Sequence, residues 1–187
     1  MSGNGQGSGE SVPAQVVATH VWPEDSPVPV AKENLELDWG GAIGDRHHGL
    51  TMSSNTRQAN VFPRGTTIRN HRQLSLVDEA ELAEIAVNLG LPLLAPGVIA
   101  DNICTRGIAN LTQLPPMTRL VFSGGAVVML GGENLPCVIA GGLVQERYDT
   151  RAEAFPKAAM GLRGVTGWVE HPGVISVGQS IQIKPGY

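Results

Sequence analysis

The chain has 187 residues, enough for one domain with a sizeable core, and its formal charge of -4 provides no overall cationic field for nucleic acid or an anionic membrane. Hydrophobic residues make up 42% and charged residues 16%, with 24 Gly and 13 Pro, a balance that favours short strands and turns over long helices. Two cysteines, Cys104 and Cys137, and the lack of an apolar signal segment predict free thiols in the reducing cytoplasm.

Residues 1 to 11 are rich in Gly and Ser and almost without apolar side chains, so a flexible tail is expected, followed by a single domain over 12–187. The β-branched stretch Val16 to Val21 predicts a first strand. Gly40 to Gly49 crowds glycines around Asp45, Arg46, His47 and His48, the composition of a tight functional loop. Asn60-Val61-Phe62 reads as a strand ending in a turn, and Arg72 to Val77 as a short strand. From Asp78 to Leu89 the apolar positions Leu82, Ile85, Ala86 and Leu89 share one helical face, with acids at the start and Gly90 as the stop. Further strands are expected at 119–122, 126–130 and 138–139, separated by Gly-Gly pairs. A second helix is expected over 151–160, with Thr150 and Glu153 spaced as a capping box, and the last strands fall at 167–170, 174–177 and 180–183. The sum is a mostly β domain, a mixed or Greek-key barrel with two or three short helices.

Cys137 follows a proline between two Gly-Gly pairs, where the backbone admits a ligand closely. It reads either as core filler or as a reactive or metal-bound thiolate, given a nearby cation. Cys104 is the rival thiol, with Asn102 and Arg106 spaced to share a strand face and bind an anion. The 33 residues between the cysteines argue against a structural zinc site or a disulfide. Asp45, His47 and His48 are candidate metal ligands or a proton relay, and His47 or His48 with His71 is the histidine-based alternative. No phosphate-binding Walker loop or Gly-x-Ser-x-Gly elbow is present.

Four stretches in order resemble the MOSC domain, the module named after the C-terminal part of molybdenum-cofactor sulfurase. They are Gly44 to Gly49, Arg72 to Leu76, Asn134-Leu135-Pro136-Cys137, and Gly161 to Val165 running into Gly173 to Gly178. The resemblance implies a stand-alone bacterial-type member with a β-barrel of the pyruvate-kinase type. It also implies binding of the molybdenum cofactor (molybdopterin), with Cys137 ligating molybdenum or carrying sulfur to it. By the same resemblance Asp45, His47, Asn102, Arg106 and Arg163 would bind the cofactor. Pyridoxal phosphate belongs to the family's larger sulfurases and has no site expected here, so a cysteine desulfurase or redox partner is expected. The usual Gly-Glu-Asn-Leu is replaced by Ala100-Asp101-Asn102-Ile103, while a literal Gly132-Glu133-Asn134-Leu135 precedes Cys137. A barrel that binds a small anionic or pterin-like ligand or a protein partner, without catalysis, is the alternative reading.

Overall fold

The computed structural model describes residues 13–186, and the expected tail over 1–11 lies outside them. In chain order the elements are β1 (Gln15–Val21), β2 (Val30–Lys32), β3 (Asn34–Asp38), β4 (Gly41–Ala42), β5 (Thr51–Ser53), β6 (Thr67–Arg69) and β7 (Leu74–Asp78). Then come α1 (Glu79–Leu89), β8 (Ile103–Arg106), β9 (Arg119–Phe122), β10 (Val127–Glu133), α2 (Val138–Arg147) and α3 (Phe155–Ala158). β11 (Val165–His171), β12 (Gly173–Ser176) and β13 (Ile181–Lys184) complete the chain. Eight strands form one sheet in the order β13-β9-β10-β11-β7-β8-β1-β2. Its pairs are antiparallel except β7 with β8, which α1 joins as a crossover.

The sheet rolls on itself. Ile181 N donates to Ala14 O (2.8 Å), Val16 N to Gln179 O (2.9 Å) and Gly178 N to Val16 O (2.8 Å). The start of β1 is thereby fastened to the approach to β13, although the ladder between them is reduced to a single Gln15–Ser180 bridge. This mixed, rolled sheet is the β-rich architecture expected from the sequence. The pleat of β7 and β8 separates two apolar layers. Leu74, Leu76 and Ile103 face the interior of the roll with Leu120, Phe122 and Val165, whereas Val77 and Cys104 face α1, α2 and α3 on the outside.

α1 forms where its periodicity places it. Asp78 caps its start by accepting from Ala80 N (3.1 Å), Glu81 completes a capping box, and Gly90 closes it in the left-handed conformation (φ 70°). Leu82 and Ile85 are fully buried on its inner face, each stabilising by about 1.5–3 kcal/mol relative to exposure.

Three local expectations are corrected. Val138 and Ile139 open helix α2 rather than a strand. The Gly141-Gly142 pair lies inside this helix, and Gly141 is needed there because a Cβ would run into the carbonyl of Ala152. No capping box joins Thr150 and Glu153: the region is a 3-10 turn over 152–154 leading into the four-residue α3, whose Pro156 sits in the first turn where a missing N–H costs nothing. The segment 60–62 is not a strand; it follows a 3-10 turn at Thr56–Gln58 capped by Asn55.

Candidate functional site

β7, β11 and α2 converge on a cleft of about 460 Å³, walled on one side by the 40–49 loop and roofed by the β5–β6 hairpin. Cys137 stands at its floor. The residue occupies the N-cap of α2 in an extended conformation (φ -146°, ψ 162°), the ordinary backbone of that position. Its thiol is free and half-buried. Burial opposes its ionisation, but the amides of Ala140 and Ile139 and the guanidiniums of Arg163 and Arg57 outweigh that penalty and hold the thiol below its ordinary value. Arg163 Nη1 is the nearest of these charges, 3.8 Å from Sγ.

The cations are gathered by two adjacent residues. Asn134 Oδ1 accepts from Arg72 Nη2 (3.0 Å) and from Arg163 Nη1 (3.3 Å). The next oxygen, Leu135 O, accepts from Arg163 Nη1 (2.8 Å) and Arg57 Nη2 (3.2 Å). Asn134 is itself fixed, its Nδ2 donating to Ser75 Oγ (2.9 Å) and its N–H to Gly164 O (2.9 Å). None of the three guanidiniums has a carboxylate partner among the described residues. Arg163 is buried, and its Nε has no hydrogen-bond partner among the described residues. Desolvation and mutual repulsion lower Arg72 to about 10. Three cations so placed, with donors to spare, make a site for an anion.

The residues expected to bind the cofactor divide into three groups. Arg163 and Cys137 meet in the cleft. Asp45, His47 and Asn102 meet along its wall, where Asp45 is the anchor: it accepts from Trp22 N (2.7 Å), His47 N (2.8 Å) and Asn102 Nδ2 (2.8 Å), and bonds His47 Nδ1 (2.9 Å). Burial raises the Asp45 carboxyl, but His47 and the Trp22 amide more than offset it, so it stays below its ordinary value. Asn102 also accepts from Ser75 N (3.0 Å), tying this wall to the strand that supports Asn134. Arg106 lies elsewhere: it does not line the cleft, and its guanidinium is held by Glu79 on the surface (Nη2 to Oε2, 2.9 Å). Cys104 is fully buried, and desolvation together with Asp101 pushes its thiol far up, so it is inert. His48 bonds Asp38 (2.7 Å), and among the described residues no group of three or more His, Cys, Asp or Glu side chains is placed to hold a metal.

Arg57, Arg72 and Asn134 escaped the sequence reading of the site. One signal for the arginines was present: from Arg46 to Val77 there are five arginines and no Asp or Glu, in a chain of net charge -4.

Comparison with known proteins agrees with this architecture. The MOSC domain model matches residues 45–182. A Bacillus subtilis (strain 168) relative named "Putative metal-sulfur cluster biosynthesis proteins YuaD" is 38% identical over 154 residues, 81% of this chain and 80% of the relative. The crystal structure of the Bacillus subtilis YuaD protein superposes with a TM-score of 0.86 at 35% identity, covering 92% of this chain and 96% of that one. The YiiM protein of Geobacillus stearothermophilus, at 16% identity and a TM-score of 0.58 over 92% of this chain and 75% of its own, shares the fold. The chain belongs to the MOSC domain family.

Proposed function

We propose that this protein carries sulfur on Cys137 in an arginine-lined cleft that receives an anionic, sulfur-ligated metal group, the molybdenum cofactor. The observation that carries the reading is the half-buried thiol at the start of α2 beside three guanidiniums that have no ion-pair partner among the described residues. The donor set fits the cofactor, since the partnerless Nε of buried Arg163 and the spare donors of Arg72 and Arg57 suit a phosphate, and a thiolate is the soft ligand for a sulfur-bound metal. The cofactor, when bound, supplies the sulfur-accepting metal. The protein's own part is to favour ionisation of Cys137, hold the anion, and fix the cleft wall through Asp45 and Asn102.

Loading of sulfur is a thiol exchange. The Cys137 thiolate attacks the outer sulfur of a persulfide on a donor such as a cysteine desulfurase; the donor's S–S bond breaks, its thiolate leaves with the electron pair, and Cys137 becomes the persulfide without net oxidation. The name of the Bacillus subtilis relative, metal-sulfur cluster biosynthesis, supports chemistry of this kind.

The test treats the protein with a cysteine desulfurase, pyridoxal phosphate and cysteine, and reads intact mass. The wild type is expected to gain sulfur removable by a reducing agent, and Cys137→Ser to gain none. In parallel, molybdenum and pterin are measured in protein from a cofactor-producing host. Equal sulfur loading in both proteins, or a native Cys137 that resists alkylation at neutral pH, overturns the sulfur-carrier role and favours a barrel that only binds.

A further inference from the structure

The Gly132-Glu133-Asn134-Leu135 stretch has no role in the sulfur step itself, yet it sits where the cations converge. A bulge at Gly131 shifts the β10–β11 register, Gly132 (φ 107°) and Glu133 then pair with Thr166 and Val165, and Asn134 follows directly where the strand ends. Glu133 accepts from Gly161 N (3.2 Å) and pins the loop that bears Arg163. Asn134, 3% exposed, is then the meeting point of guanidiniums from two remote segments, one just before β7 and one just before β11.

Resting on the reading of the cleft as an anion site, we propose that Asn134 is its positioning residue: one neutral amide oxygen holds Arg72 and Arg163 together beside Cys137 without neutralising either. Two guanidiniums brought to one point repel, and a carboxylate is the usual means of holding them. A carboxylate here would cancel one of the charges on which an anion depends. The amide supplies the acceptor geometry alone, and its Nδ2 uses Ser75 Oγ to fix which end faces the arginines.

This predicts that stability and anion affinity move apart in the isosteric variant Asn134→Asp. Its carboxylate can accept from both arginines, and the Ser75 hydroxyl can rotate to donate instead, so the thermal midpoint is expected to equal or exceed that of the wild type. Binding of inorganic phosphate, measured by calorimetry at low ionic strength, is expected to weaken by about tenfold or more, the scale of one close charge pair. The uncharged Asn134→Ser keeps both charges but releases the guanidiniums. It is expected to weaken phosphate binding less than Asn134→Asp, and it carries the test if the Asp variant does not fold. Wild-type affinity in a folded Asn134→Asp protein overturns the proposal. So does an affinity that falls only in step with thermal stability, since that is the mark of a merely structural residue. Phosphate binding that is absent from the wild type as well would overturn the anion cleft itself, whereas equal binding by wild type and Asn134→Asp overturns the role of Asn134 alone.

Discussion

Replacing Arg163 by Met removes the charge nearest to the Cys137 sulfur while keeping a side chain of similar length. At the observed 3.8 Å, a full charge pair interacts by about 4 kcal/mol at an effective dielectric of 20. Cys137 is only half-buried, so water screens part of this, and Arg57 and the α2 amides remain. About half the value is then lost, near 2 kcal/mol, and the thiol of the variant is expected to titrate at a clearly higher pH than that of the wild type. The assay is the pH dependence of iodoacetamide alkylation on the native protein, and it reads Cys137 alone because Cys104 is fully buried and inert. Arg163 also donates to Leu135 O and Asn134 Oδ1, so a thermal melt must accompany the titration. A folded Arg163→Met protein whose thiol titrates with the wild type would refute the electrostatic account of this cysteine.

Three further outcomes follow from the same geometry. Asn102→Ala strips the acceptor from the half-buried Ser75 N–H and a donor from buried Asp45, and is expected to cost about 2–4 kcal/mol in urea unfolding; a loss below about 0.5 kcal/mol would show the wall to be loosely held. Gly164→Ala forces a Cβ into the carbonyl of Leu76 at a left-handed backbone (φ 75°), and should destabilise by about 3 kcal/mol or more, against a null result of unchanged urea midpoint. Asp45 has a carboxyl held below its ordinary value near 3.8, so its stabilising contribution is complete above that value and disappears as pH falls through the folded pKa. Thermal midpoints of the wild type should therefore approach those of Asp45→Asn as the pH drops below about 4, and a gap that stays constant with pH would contradict this.

What the sequence reveals follows the range of the interactions involved. α1 is legible because its periodicity, its Asp78 cap and its Gly90 stop are all local. α2 is not, since its Gly141 answers to the Ala152 carbonyl, a contact made only after folding. Cys137 and Arg163 can be picked out by motif, whereas Arg57 and Arg72 look like surface charges until the hairpin and β7 bring them to Leu135 and Asn134. Asp45 and Asn102 stand together at the cleft wall, and the hydrogen bonds of each go to holding the other and the loop. Arg106 shows the opposite failure: alternation with Asn102 suggested a shared face, yet Asn102 precedes β8 and Arg106 ends it on the surface.

The three cations around Cys137 reach it across wide sequence intervals, 78 residues from Arg57 to Leu135, 62 from Arg72 to Asn134 and 26 from Arg163 to Cys137 itself. In a nascent or misfolded chain these segments are apart, and the cysteine is an ordinary, sluggish thiol. The lowering of the Cys137 thiol is thus conferred only on molecules whose sheet has rolled up correctly. The experimenter gains a mark of the native state, since the folded protein offers a thiol reagent one activated cysteine and the unfolded chain offers two ordinary ones.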